Sequence, residues 1–200
     1  MAIQWDVLTL GCITRNRFWG EEDAQVYRHA YCTSTLIKAG EDILLVDPAL
    51  PEMDEILYAR CGVHCADITH VFVTHHHSDH LIGIEAFIGA QWFIPPGELS
   101  ALSAQRPDLQ GRFTPATGQL LDGIDIIPLP GHTPGLCGLK FSAAQGTIIV
   151  AGDAVMRKDF FEHRVGYYNS MDFGQASKTI EYIAQMADIV VPGHDNYFLV

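Results

Sequence analysis

The sequence predicts an α/β fold. Short β-branched apolar runs alternate with segments of helical period. Several of these runs are followed directly by Asp-Pro, Thr-His, Pro-Gly-His or Gly-Asp, so chemically versatile side chains stand just beyond strand ends. Two hundred residues suffice to bury a substantial core, and no repeat, low-complexity stretch or linker divides them, so residues 1–200 are expected to form one domain.

Taken in order, Ile3–Leu10 reads as a first strand and Arg15–His29 as a polar, aromatic loop or hairpin at the surface. Thr33–Ala39 and Ile43–Val46 read as paired strands around a Gly40-Glu41-Asp42 turn, the second ending at Asp47-Pro48. Glu52–Arg60 has helical spacing, with Gly62 placed to stop it. Thr69–Val73 is a β-branched strand leading into a histidine cluster, Leu81–Ile88 a short helix, and Gln91–Ile94 a strand closed by Pro95-Pro96. Gly97–Gly118 carries only weak signals. Ile124–Leu129, Gly138–Phe141, Thr147–Ala151 and Asp188–Val191 complete the strands, with a helix over Gln175–Met186 before the last.

The formal charge of −12 argues against a broad basic surface for tracking nucleic acid. No apolar run approaches the length of a membrane helix, and the N-terminus lacks a basic region and has Asp6 within its only apolar stretch, so a cytoplasmic protein without a signal peptide is expected. The five cysteines are scattered and odd in number, which predicts reduced, mostly buried thiols. Cys61, His64 and Cys65 lack the spacing of a metal site and are expected to be structural.

The strongest local signal is Thr74-His75-His76-His77-Ser78-Asp79-His80. Imidazole nitrogen and carboxylate oxygen suit zinc and similar first-row ions. Two apart in an extended segment, His75 and His77 can point to one side and share an ion, while His76 points away. Asp79 and His80 are offset enough to hold a second ion. His132 in Pro-Gly-His-Thr-Pro-Gly, Asp153 in Ala-Gly-Asp and His194 in Val-Pro-Gly-His could each do purely structural work, but together and in this order they extend the donor set.

That order resembles the metallo-β-lactamase superfamily, which includes glyoxalase II, ribonuclease Z and many lactonases. The resemblance runs from the Asp47 strand to His194. It implies a four-layer αβ/βα sandwich of two mixed β-sheets flanked by helices, with metals at one edge between the sheets. It further implies that His75, His77 and His132 bind a first ion, that Asp79, His80 and His194 bind a second, and that Asp153 bridges them. Asp47 matches an acidic position that orients a ligand, although capping its own strand end before Pro48 would explain it too. The expected cofactors are two divalent ions, zinc first, with manganese or iron as alternatives. Such a pair would lower the pKa of a shared water for attack on a carbonyl or phosphorus, with Asp79 as catalytic residue orienting the nucleophile and relaying a proton.

Departures from known branches narrow the activity. Zinc β-lactamases of the best-known type carry Cys where Asp153 stands and lack the His80 ligand, and flavodiiron proteins carry an acidic residue at the His77 position. With six residues after His194, the helical glutathione-binding domain of glyoxalase II is not expected. Quorum-signal lactonases place a Tyr shortly after the bridging Asp, where this chain has Ala154, Val155 and Met156; Tyr167 or Tyr168 could substitute from a loop. The small proteins called metallo-β-lactamase-domain-containing protein 1 offer a further resemblance, which raises phosphodiester substrates that the acidic composition opposes. An ester, thioester or lactone hydrolase is therefore expected first, a nuclease or phosphodiesterase second, and a mononuclear iron dioxygenase on the same scaffold is the rival outside hydrolysis. A small-molecule substrate is expected, with Phe18, Trp19, Tyr167 and Tyr168 walling its pocket and Arg17 or Arg164 meeting an anionic group. The same aromatics could instead pack against a neighbouring subunit in a homo-oligomer.

Overall fold

A computed structural model describes residues 2–200. Among these residues, twelve strands form two six-stranded sheets, each in simple sequential order. The first sheet contains β1 (Gln4–Thr9), β2 (Ser34–Ala39), β3 (Asp42–Val46), β4 (His70–Phe72), β5 (Gln91–Ile94) and β6 (Phe113–Pro115). The pairs β1–β2 and β2–β3 are antiparallel, while β3 to β6 run parallel. The second sheet contains β7 (Gly118–Leu121), β8 (Ile124–Pro128), β9 (Cys137–Ala143), β10 (Gly146–Gly152), β11 (Ile189–Pro192) and β12 (Phe198–Leu199). Here only β10–β11 is parallel. Both sheets are mixed, as expected.

Strand periodicity explains the layering. In β3, Leu44 and Val46 face one way and Leu45 the other; in β10, Ile148 and Val150 oppose Ile149 and Ala151. One set joins Phe72, Leu139, Phe141 and Val191 in a core between the two sheets. The opposite face of the first sheet packs under α1 (Met53–Cys61) and α2 (Leu99–Gln105) through Met53, Leu57 and Leu102. The outer face of the second packs under α3 (Lys158–Glu162) and α4 (Phe173–Met186) through Phe161, Ile180 and Ile183. The result is an αβ/βα sandwich. Phe72→Ala is expected to cost about 3–5 kcal/mol, because Phe72 is fully buried in the inter-sheet core and its cavity cannot collapse between two sheets. Urea denaturation checks this, and an unmoved midpoint would contradict the placement.

Gly62 terminates α1 in the left-handed conformation (φ 64°), as its position predicts. The helix expected over Leu81–Ile88 is not formed; two 3₁₀ turns, Ser78–His80 and Ile84–Phe87, stand there instead. The buried residues Leu81, Ile84 and Phe87 recur every third position, which a three-residue turn aligns on one face. Five other elements escaped the sequence reading: α2 with β6 in the weakly marked 97–118 region, the edge strands β7 and β12, and the five-residue α3. Arg15–His29 is a long loop with one turn at Arg17–Trp19, closed at its base by pairing of Cys12 with Tyr31. All five cysteines are free, but only Cys32 and Cys137 are buried, which corrects the expectation of mostly buried thiols. The Cys61–Cys65 turn is structural: Asp54 accepts from the Cys65 N–H (2.6 Å) and pairs with His64 Nδ1 (3.1 Å). Among the described residues, no helix is long and apolar enough to cross a membrane.

Candidate metal centre

Strand direction gathers the donors. The strands β3, β4 and β5 are parallel, so Asp47, the 75–80 loop and Glu98 leave the first sheet at one end. In the second sheet, β8 and β11 run with β10, so the loops bearing His132, Asp153 and His194 also share an end. Ligand sites form at such carboxyl ends because packed strands hold the loop roots rigidly.

All seven side chains named from the sequence come together there, in two groups. His75, His77, His132 and Asp153 each offer one donor atom, all within 4.8 Å of one another, and Asp79, His80 and His194 do the same. Asp153 divides its carboxylate between them. Its Oδ2 lies 3.2 Å from His132 Nε2 and 3.6 Å from His75 Nε2. Its Oδ1 lies 3.2 Å from both His80 Nε2 and His194 Nε2. His194 Nε2 is in turn 3.4 Å from Asp79 Oδ2.

Hydrogen bonds behind the imidazoles fix which nitrogen faces inward. Asp47, fully buried, accepts from Thr74 N (2.8 Å), Thr74 Oγ1 (2.8 Å) and His80 Nδ1 (2.9 Å). Because the Thr74 hydroxyl proton is committed to Asp47, its oxygen accepts from His75 Nδ1 (3.1 Å). His194 Nδ1 donates to the carbonyls of Cys12 (3.1 Å) and Tyr31 (2.9 Å). With Nδ1 engaged behind each ring, His75, His80 and His194 turn their Nε2 atoms toward Asp153. Asp47, expected either to orient a ligand or to cap its strand end, thus joins the Thr74 turn to the His80 ring.

This donor set fits metal ions. His77 Nδ1 faces both His75 Nε2 (3.0 Å) and His132 Nε2 (2.9 Å), and a single proton cannot bridge three converging nitrogens. His80 Nε2 and Asp153 Oδ1 are buried without a hydrogen-bond partner. Converging lone pairs and orphaned buried donors are what a cation resolves. Burial pushes the His75 imidazole well below its ordinary pKa, reinforced by His80, and takes His77 down to about 4. Burial opposes charge on Asp153 as well, yet His194, His80 and His132 hold its carboxyl well below the usual range. Neutral His75 and His77 and an ionised Asp153 are forms metal binding requires; despite burial, acidic neighbours, Asp153 among them, raise His80 and His194, whose protons a bound cation would displace.

An open cleft of about 300 Å³ leads to these donors, and Tyr167, Tyr168 and Asn169 help line it. The other wall residues proposed from sequence lie elsewhere. Phe18 stacks on His163 and meets Phe160 edge-on, and Trp19 packs against the guanidinium groups of Arg28 and Arg157. Arg17 pairs with Asp23, and Arg164 lies over Phe161 and donates to its carbonyl, so neither cation lines the cleft. The Tyr167 hydroxyl is tied to Thr14 and Arg15, and the partly exposed Tyr168 accepts from Arg15 Nη2 (3.3 Å), whose guanidinium lies 4.1 Å over its ring. Sequence reasoning missed Ile13, Thr14, Gln105 and Met156, which line the cleft from segments without a local motif. It also missed Glu98, for which the one available signal was its place beyond a strand end, as with the other donors.

A four-layer sandwich with a divided His/Asp cluster at its loop edge defines a class of metal-binding αβ/βα proteins. The family model described as the metallo-beta-lactamase superfamily matches residues 28–194, and the chain belongs to that superfamily. It is 30% identical to metallo-beta-lactamase domain-containing protein 1 of Xenopus laevis, over 83% of this chain and 71% of that protein. It is 25% identical to an N-acyl homoserine lactonase of a Bacillus species over 74% of this chain, spanning only 65% of the lactonase's length. The structure of AiiA from Bacillus thuringiensis, a variant with N-decanoyl-L-homoserine bound at the active site, matches with a TM-score of 0.73 at 18% identity, over 97% of this chain and 93% of the other. That last likeness bears on the fold.

Proposed function

We propose that this protein is a metal-dependent hydrolase that cleaves an ester, thioester or lactone bond in a small molecule. The observation that carries the reading is the division of the Asp153 carboxylate between two groups of donors. In this reading His75, His77, His132 and Asp153 would hold one ion, and Asp79, His80 and His194, with Asp153 shared, would hold the other. The nitrogen-and-carboxylate donor chemistry favours zinc, with manganese and iron acceptable to the same atoms. Two such ions supply an activated water near neutral pH and an electrophilic partner for the oxygen of the bond being cleaved.

The chain's own residues do the rest. Asp79 lines the cleft and is partly exposed, so its free carboxylate oxygen can orient the nucleophile and relay a proton to the leaving group. At the cleft wall Asn169 offers an amide to the substrate body, and Tyr168 the part of its ring that Arg15 leaves open. The lactonase relatives support the choice of a carbonyl substrate. The formal charge of −12 and the lack of any Lys or Arg lining the cleft speak against a nucleic-acid substrate.

Elemental analysis combined with an ester, thioester, lactone and phosphodiester panel, run on wild type and His77→Ala, tests the proposal. Wild type is expected to bind two zinc or manganese ions and hydrolyse a carbonyl substrate. Loss of the nitrogen shared with both His75 and His132 is expected to lower turnover by about 10²–10³-fold with the fold intact. Unchanged turnover in His77→Ala would count against the mechanism. One iron per chain with oxygen uptake would instead identify a dioxygenase.

A further inference from the structure

Glu98 has only 1% of its surface exposed, at the turn between β5 and α2, and takes no part in the donor groups. Its Oε2 accepts from the backbone N–H of His76 (3.1 Å) and from His76 Nδ1, while Oε1 accepts from the Thr133 hydroxyl (2.8 Å). His76 stands between His75 and His77, and Thr133 follows His132. One carboxylate therefore ties together the two loops that carry all three imidazoles of the first group. Asp79 and His80 lie further along the first of these loops, but neither they nor His194 donate to Glu98.

The junction is closely built. A Cβ at Gly97 would come within 2.9 Å of the Gly135 Cα, and one at Gly135 within 2.6 Å of Glu98 Oε1, so only glycines let these turns close over the carboxylate. Burying a carboxylate here costs desolvation that an apolar side chain of similar volume would avoid. Hydrogen bonds from His76 and Thr133 overcome that burial and hold the Glu98 carboxyl below its ordinary range. A charge retained at such cost between two donor-bearing loops has a use beyond filling space.

We propose that Glu98 is a positioning residue for the first donor group: it locks the His75–His77 loop to the His132 loop and so sets the affinity of one ion independently of the other. The inference rests on the metal-binding reading above. Its test is competition between zinc-loaded protein and a chelator, following zinc retained per chain for wild type, Glu98→Ala, Glu98→Gln and Thr133→Val. Wild type is expected to release zinc in two steps. In Glu98→Ala one step moves to roughly 10- to 100-fold weaker binding while the other stays. Thr133→Val moves the same step by less, and also carries the test if Glu98→Ala does not fold. Glu98→Gln restores the step, because its carbonyl can accept from His76 and its amide can donate to Thr133. Repeating the Glu98→Ala comparison in a His194→Ala background, where the first group remains intact, shows the affected step to be the one that survives there. Both steps moving together, or neither moving in any variant of a wild type that binds two ions, would overturn the role of Glu98 alone. A wild type that retains no zinc would overturn the metal reading and this inference with it.

Discussion

Replacing Asp153 with alanine is expected to empty both ion positions and reduce turnover by at least about 10³-fold. No other residue in the cluster faces both groups. Asp153 Oδ2 approaches His75 and His132, and Oδ1 approaches His80 and His194. Its removal deletes a donor from each group and the negative charge buried among the imidazoles. The same side chain also offsets those imidazoles in the fold, so the variant is expected to lose stability, with breaking a buried pair typically costing about 3–5 kcal/mol. Asp153→Asn separates the effects, because it keeps the volume and one acceptor while removing the charge. Metal content after gel filtration, paired with thermal melts, checks both. A variant that still carries two ions per chain would refute the bridging assignment.

Asp47→Ala is expected to lower stability by about 4 kcal/mol, although Asp47 belongs to neither donor group. Its carboxylate is buried and satisfies three donors, the Thr74 N–H, the Thr74 hydroxyl and His80 Nδ1. Truncation leaves all three without a partner away from water. Position 47 also sits at φ 52°, where alanine is strained and asparagine is tolerated, so Asp47→Asn isolates the loss of charge from the backbone effect. A metal effect should accompany the stability effect. Freed from Asp47, His80 can protonate at Nε2, and affinity at the second group is expected to fall roughly 10- to 100-fold. Urea denaturation of the metal-free protein and zinc competition measure the two separately. An unchanged midpoint would contradict the cost of three unpaired buried donors, and unchanged zinc affinity would leave Asp47 a purely structural role.

Much of this architecture was legible in the residue order. Val46, Phe72, Val150 and Val191 lie in strands whose apolar alternation marks them as core, and Asp47, the 75–80 cluster, Asp153 and His194 follow those strands. Illegible parts had weak local physics. The edge strands β7 and β12 are short and half-exposed, so no alternation identifies them. The stripe of Leu81, Ile84 and Phe87 fits a 3₁₀ turn as well as an α-helix, and the packing of this segment against the first sheet decided between them. Phe18 and Trp19 looked like pocket walls because aromatic side chains in a loop carry no address, and two of their partners, His163 and Arg157, lie far away in sequence.

The sequence by itself determined the inventory: seven His and Asp side chains, their order, and their attachment just beyond apolar strands. It did so because strand periodicity and ligand chemistry act over a few neighbouring residues. Only the tertiary structure decided which atoms meet. The split of Asp153, the inward-facing Nε2 of His75, His80 and His194, and the clasp of Glu98 on two loops all depend on contacts between separate strand ends. Those contacts are set by how two sheets pack face to face, and no local rule of spacing reaches across that interface.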